Sequence, residues 1–328
     1  MIMEIILRQP NPESNRLIPI FFAVDDNYAP LLHVALESIV SQASKAYRYH
    51  VHILCENLSA WNQESFLKYG KENFCVYITD MAARIAGRAK LMHTRDYYSK
   101  TTYFRVYIPE MFPEYDKALY LDCDIALNAD VSELYNFEIG DAYVGGVTCE
   151  AVDTTPTFTE YAEAYLGFRL PKYFNAGVLV MNLEALRKIN FSRRFFDIME
   201  KIKFEVAQDQ DYLNVLCKDN VVFLPKAWNK IPRPSSTDKL ADLKLVHYNL
   251  AFRPWRYDGV LYGELFWKHA KKTPVYEQLL DMKRSFSEQD AARDRQWMTN
   301  LLNMAREQAE RRDTFYSKLL SGQIVLMG

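Results

Sequence analysis

Two carboxylates with one residue between them, Asp122 and Asp124 in KALYLDCDI (117–125), are the feature of this sequence best equipped for chemistry. Two like charges this close are unfavourable unless something neutralises them. Side chains two apart on a strand point the same way. Asp122 and Asp124 therefore converge, while Cys123 between them turns to the opposite face. A divalent cation between the acids removes the repulsion and can grip phosphate oxygens. Hard carboxylate ligands suit Mg²⁺ or Mn²⁺, and one imidazole tilts the choice toward Mn²⁺. The plainer alternative is a surface turn in which both acids are merely solvated.

Four further segments carry groups of the same kind, each beside a strand-like run. In FAVDDNYA (22–29), Asp25, Asp26 and Asn27 can cap the helix that follows. They can equally hydrogen-bond a base or a ribose. In YFNAGVLVMN (173–182), Asn175 precedes a strand, where it serves a turn or reaches a polyhydroxy ligand. In QDQDYLN (208–214), capping and the helix dipole account for Asp209 or Asp211 but leave Gln210 unexplained. In VHYNLAFRPW (246–255), His247 ends a strand and Arg253 follows six residues later. A lone histidine is more often structural; this one has a candidate metal and phosphate to meet.

The elements that must position these groups alternate in type. Apolar runs of strand character are LIPIFFAV (17–24), YHVHILC (49–55), FCVYI (74–78), KALYL (117–121), AYVGGV (142–147), AGVLVMN (176–182), VVFL (221–224) and KLVHY (244–248). Helical spacing begins at Leu31 and recurs near 59–70, 191–204 and 209–218. Alternation of this kind predicts an α/β fold around a largely parallel sheet. Ligands in such sheets bind outside the carboxyl ends of the strands, which is where Asp122 and Asp124 fall. Beyond about residue 270 the strand signal fades. The stretch 290–320 reads as one long charged helix, giving a catalytic unit over 1–270 and a helical extension over 271–328.

Composition narrows the function classes. The 328 residues are 49% hydrophobic and 14% aromatic, enough for a substantial core, and 40 Lys and Arg against 42 Asp and Glu leave a formal charge of −2. No basic excess points to nucleic acid. The five cysteines are odd in number and scattered without a CxxC pair, as expected of reduced thiols in a cytoplasmic protein rather than a disulfide framework or zinc site. The opening MIMEIILRQPNPESNR has an acidic residue and too short an apolar run for a secretory signal. No stretch approaches the ~20 apolar residues that span a bilayer. Neither GxGxxG nor GxxxxGK[ST] occurs, so bound phosphates would be held by a metal rather than a glycine-rich loop.

Taken in order, FAVDDNYA, TTYFRVYIPEMFPEYDKALYLDCDIAL, FNAGVLVMNL, QDQDYLN and HYNLAFRPW resemble the retaining family 8 glycosyltransferases, across roughly residues 18–258. That family includes bacterial lipopolysaccharide galactosyl- and glucosyltransferases and, more distantly, glycogenin. The resemblance implies a GT-A fold, with a Rossmann-like, mostly parallel sheet flanked by helices, using a UDP-sugar and Mn²⁺. It implies that Asp122, Asp124 and His247 ligate the metal on the UDP diphosphate, with Cys123 among the donor-binding residues. Asp25 and Asn27, with the backbone at Ala23, would contact uridine, and Arg105 the donor's sugar or phosphates. Asn175, Asp209 and Gln210 would hold the donor sugar, Gln210 near the anomeric carbon, and Arg253 would meet the diphosphate. The family's HxxGxxKPW segment has Leu250 and Arg253 here in place of Gly and Lys, which bears on the diphosphate contact.

The expected function is metal-dependent, retaining transfer of glucose or galactose from a UDP-sugar to a glycan or glycolipid, such as a lipopolysaccharide intermediate. One alternative is a UDP-sugar-binding protein without turnover. Another is a phosphohydrolase with an Asp nucleophile, disfavoured because its DxD belongs on the first strand. Cations among aromatics in WKHAKKTP (267–274) and MKRSF (282–286) allow peripheral contact with the inner face of the cytoplasmic membrane. The charged tail helix could instead pair with a second copy of the chain.

Overall fold

The apolar run Leu17–Val24 forms β1, buried at every position after Leu17. In the computed structural model, which describes residues 17–94 and 99–326, β1 is the middle of the parallel half of the sheet. It pairs in parallel with β2 (Arg48–Cys55) on one side and β4 (Lys117–Leu121) on the other. Beyond β2 lies β3 (Phe74–Asp80), also parallel. On the far side of β4, β7 (Phe174–Asn182) runs antiparallel to both β4 and β6 (Val144–Thr148). A short β8 (Val221–Phe223) ends that edge, giving the order β3-β2-β1-β4-β7-β6-β8. The amino-terminal arm lies outside the described residues.

Both faces of this sheet are covered, which is why its strands read as nearly continuous hydrophobic runs. Alternate residues feed two cores. Phe21, Tyr120 and Leu179 enter one; Ile20, Phe22, Leu119 and Val178 enter the other. The helix Ala29–Gln42 packs in the second core, where Leu32, Val34, Leu36 and Ile39 are buried. All five cysteines are free thiols.

Topology then decides what meets what. Because β1 and β4 are parallel, their carboxyl ends share one edge of the sheet. The antiparallel β7 brings its beginning, Asn175–Gly177, to that edge. The strands β5 (Ile125–Leu127) and β9 (Leu245–His247) form a separate antiparallel pair, with Ile125 opposite His247. At three residues, β5 is too short to leave a pattern in the sequence.

The tail departs from the expected single helix over 290–320. It forms Glu288–Ala309 and then, after a turn, Phe315–Leu320. Ser287 and Asp290 make a reciprocal capping box at the start of the longer helix. Thr314 caps the shorter one by accepting from the Ser317 backbone N–H, and Arg311 grips Asp313 inside the turn. The break returns Phe315 to the core, edge-on to Phe204 with ring centroids 5.1 Å apart. Trp297, Leu301 and Ala305, four apart, bury one face of the longer helix against the same core. Trp267 and Phe286 lie under the cations Lys283 and Arg256 of this chain. Among the described residues no helix is long and apolar enough to cross a membrane.

Four histidines sit inside the fold in their neutral form. Burial lowers His33, His50 and His269 to about 4 and His52 to about 3. The unfolded chain takes up protons at these groups as pH drops below about 6.5, while the folded chain does not. Their contribution is therefore complete above pH 6.5 and lost as pH falls toward 4. For one such histidine the loss is on the order of 2 kcal/mol at pH 5. Urea denaturation at pH 7 and pH 5 should show a marked loss of stability at the lower pH; equal midpoints would contradict this packing.

Candidate active site

The carboxyl edge of β4 runs directly into Asp122, Cys123 and Asp124. Two backbone bonds fix this segment. The Asp122 N–H donates to the Gly177 carbonyl at 2.8 Å, and the Tyr248 N–H donates to the Asp124 carbonyl at 2.8 Å. The first ties the acids to β7, the second to the end of β9. His247 is thereby delivered beside them, with Nε2 3.1 Å from Asp124 Oδ1 and 3.8 Å from Asp122 Oδ2. One ligand atom from each of the three residues lies within 4.8 Å of the other two. Cys123 turns away as the alternation requires, its Sγ donating to the Ala23 carbonyl at 3.3 Å.

The electrostatics of this trio favour its charged form. Partial burial would raise Asp124, but His247 and then Arg253 outweigh it and hold the carboxyl below its usual range. Burial would lower His247, and Asp124 and Asp122 overcome it, so the imidazole is raised. A proton on His247 is one way to neutralise the acids; a divalent cation on the same three atoms is another. Two carboxylates and an imidazole make a hard, oxygen-rich donor set with one nitrogen, and they fit Mn²⁺ or Mg²⁺.

Space around the trio is tight at one point. A Cβ added at Gly177 would lie 2.4 Å from His247 Cε1 and 2.5 Å from Asp122 Oδ2. Only glycine lets β7 pass this close.

Arg105, on the 3₁₀ turn Lys100–Tyr107, is buried beneath the acids. Its Nη2 meets Asp122 Oδ1 at 3.2 Å and its Nε meets Asp209 Oδ2 at 3.3 Å. Nε also donates to the Thr102 carbonyl, and Nη1 to the Ala176 carbonyl. The guanidinium lies 4.0 Å over the Tyr120 ring. Burial works against its charge, yet Tyr120, Asp209 and Asp122 together raise it above its ordinary value. Asp209 is buried deeply enough that it is pushed up to about 6 despite Arg105.

Gln210 is pinned at both ends of its amide. Asp211, wholly buried, accepts from Tyr161 and Tyr173 hydroxyls at 2.9 and 2.6 Å and from the Ala207 N–H at 2.9 Å. Having donated to a carboxylate, the Tyr173 oxygen must accept, and it takes Gln210 Nε2 at 3.2 Å. Gln210 Oε1 in turn accepts the Ala176 N–H at 2.9 Å. The amide orientation follows from these partners and leaves the second Oε1 lone pair for the cleft.

The cleft lining includes Ala23, Arg105, Asp122, Cys123, Asp124, Asn175, Asp209, Gln210, His247 and Arg253, which the sequence motifs single out. Asp25 and Asn27 are outside this lining. Asp25 Oδ1 accepts the N–H groups of Asn27 and Tyr28, closing the turn before the first helix, while Asp26 holds Ser59 and Asn62. Leu250 lines the cleft with φ +56°, a left-handed conformation that glycine adopts at less cost. Tyr120, Gly177 and Trp297 are lining residues that sequence reasoning missed. Tyr120 lies two residues before Asp122, so strand alternation places it on the same face. Trp297 comes from the tail helix, and nothing in its spacing distinguishes it from a core residue.

Comparison with known proteins gives the family and the fold. Residues 19–259 match the family described as Glycosyl transferase family 8. The lipopolysaccharide 1,2-glucosyltransferase of Escherichia coli (strain K12) is 25% identical over 264 residues, covering 76% of this chain and 75% of that protein. The galactosyltransferase LgtC, solved with donor and acceptor sugar analogues, superposes with a TM-score of 0.64 at 27% identity, over 78% of this chain and 96% of LgtC. The bifunctional glycosyltransferase WbbM gives a TM-score of 0.72 at 25% identity over 84% of this chain. The match spans 53%, about half, of the WbbM chain.

Gly177→Ala tests the crowding at the trio. The added methyl should displace His247 or Asp122 and weaken Mn²⁺ binding by about 10- to 100-fold. Electron paramagnetic resonance of free Mn²⁺ reads this directly; an unchanged affinity would show that the three ligand atoms do not share one ion.

Proposed function

The chain belongs to glycosyl transferase family 8, and from that premise we propose that it transfers glucose or galactose from a UDP-sugar to a glycan or glycolipid acceptor with retention at the anomeric carbon. The carrying observation is the convergence of Asp122, Asp124 and His247 in a cleft that Arg105, Asn175, Asp209 and Gln210 also line. The lipopolysaccharide glucosyltransferase among its relatives favours a cell-surface saccharide as acceptor.

In this reading Asp122, Asp124 and His247 hold Mn²⁺ or Mg²⁺. When bound, the ion offsets charge that grows on the leaving diphosphate. Arg253 adds a fixed cation on the same side, and its planar fork can take two phosphate oxygens at once. Ala23, with Asp25 and Asn27 in the turn beside it, serves the nucleoside end, and Cys123 lies among the donor-binding residues. Arg105, with Asn175 and Asp209, faces the donor sugar.

The anomeric centre becomes oxocarbenium-like as its bond to UDP lengthens. Gln210 Oε1, held toward the cleft, stabilises that positive charge without forming a bond, since a neutral amide is a poor nucleophile. The acceptor oxygen then attacks from the face UDP leaves. The C1–O bond to UDP breaks, a new C1–O bond forms on the same face, and the acceptor proton passes to the departing phosphate oxygen.

Residues 1–270 serve as the catalytic unit, with 271–328 as its helical extension. The tail's lysines leave room for peripheral contact with an anionic membrane. Sedimentation with anionic vesicles checks that contact, and recovery of all protein in the supernatant would exclude it.

Incubating the protein and Mn²⁺ with a panel of UDP-sugars and saccharide acceptors, followed by linkage analysis, tests the activity. The product should carry the donor's anomeric configuration. Tight UDP binding without turnover would favour a binding protein instead. Asp122→Ala or Asp124→Ala should lower transfer by about 10³-fold, ~4 kcal/mol of transition-state stabilisation, with the fold intact. Normal metal-dependent turnover in either variant would contradict the assignment. A glycosyl ester trapped on Asp209 would replace same-face attack with double displacement.

A further inference from the structure

Asn229, outside the cleft lining, joins the metal trio to the sugar wall. It follows the 3₁₀ turn Lys226–Trp228 and is 5% exposed. Its Oδ1 lies 2.9 Å from His247 Nδ1, and its Nδ2 lies 2.8 Å from Asn175 Oδ1. None of the motifs around Asp25, Asp122, Asn175, Asp209 or His247 contains it.

The polarity of this chain of bonds follows from one group whose role is certain. The Gly177 backbone N–H can only donate, and it meets Asn175 Oδ1 at 2.9 Å, so that atom is an acceptor oxygen. The Asn229 atom facing the same oxygen must then be its NH₂ group. The other end of the Asn229 amide is its carbonyl oxygen, which can only accept, so His247 Nδ1 must carry the proton. With Nδ1 keeping its proton against Asn229, Nε2 is the nitrogen that faces Asp124 and Asp122, and its lone pair is the one a cation takes when it replaces the proton there. The same bonds occupy Asn175 Oδ1 and leave its NH₂ as the group that can meet a substrate oxygen.

We propose that Asn229 is a positioning residue that serves two sites through one amide: its oxygen orients His247 for the divalent cation, and its NH₂ orients Asn175 for the donor sugar. This rests on the metal-dependent UDP-sugar reading above. Hydrogen bonds from a metal-bound imidazole to a neighbouring oxygen fix ring orientation, and losing one costs about 10- to 100-fold in metal affinity.

Aspartate separates the two arms, because it still accepts from His247 Nδ1 but cannot donate to Asn175. Asn229→Ala should weaken Mn²⁺ binding by about 10- to 100-fold, measured by electron paramagnetic resonance without donor. Asn229→Asp should keep Mn²⁺ affinity within about threefold, yet lose about tenfold in its preference for UDP-glucose or UDP-galactose over UDP, measured by calorimetry with Mn²⁺. Equal losses in both variants on both readouts would reduce Asn229 to scaffold. Unchanged Mn²⁺ binding in Asn229→Ala, beside a wild type that binds Mn²⁺, would overturn the His247 arm while leaving the metal site standing. A wild type that binds no Mn²⁺ would overturn the metal reading and this inference together. The wild-type protein, labelled at histidine nitrogen, gives a check independent of variant folding. His247 Nδ1–H should appear as a slowly exchanging downfield proton, and its absence would contradict the bond to Asn229.

Discussion

Arg105 is buried among two carboxylates, two backbone carbonyls and the face of a tyrosine, and the acid-lined cleft is built around that guanidinium. Asp122 and Asp209 come from segments far apart in the chain, and each would repel the other if brought to this depth alone. The guanidinium makes their approach tolerable by pairing with both. Its bonds to the Thr102 and Ala176 carbonyls lock it between its own turn and β7. Breaking a buried pair of this kind leaves an uncompensated charge, a loss of roughly 3–5 kcal/mol. The same pairing aims the carboxylates into the cleft. Scaffold and site are thus one electrostatic arrangement.

The rest of the convergence is a matter of strand direction. A parallel β1 and β4 put their carboxyl ends together, and an antiparallel β7 begins where they stop. The β5–β9 pairing then brings His247 to Asp124 across more than a hundred residues, by register rather than by a long side chain. Gly177 is the allowance the backbone makes for this crowding. The long tail helix also reaches the cleft, since Trp297 lines it and Asp294 binds Arg256 and Tyr257 just beyond the Arg253 segment.

Much of this was legible in the residues. Strand periodicity located β1 and β4 to the residue, and the motif set named most of the cleft. Asp122 and Asp124 could be read as a pair because alternation alone puts them on one face. What escaped depends on contacts between distant segments. Gly177 matters through the atoms packed against it, and Asn229 through partners on two separate strands, β7 and β9. The turn before Phe315 was hidden because charged residues at helical spacing look alike whether or not the helix is interrupted. Phe204, which Phe315 meets, is far away in sequence. Asp25 was open to two roles, and spacing alone could not show that its Oδ1 closes the turn before the first helix.

The most direct test of a cation held by the acid pair is anomalous diffraction from crystals soaked with Mn²⁺ and UDP. A peak bounded by Asp122, Asp124 and His247 Nε2, with the diphosphate against it, is the expected result. UDP bound in the cleft with Mn²⁺ elsewhere, or with no ion at these three residues, would contradict it.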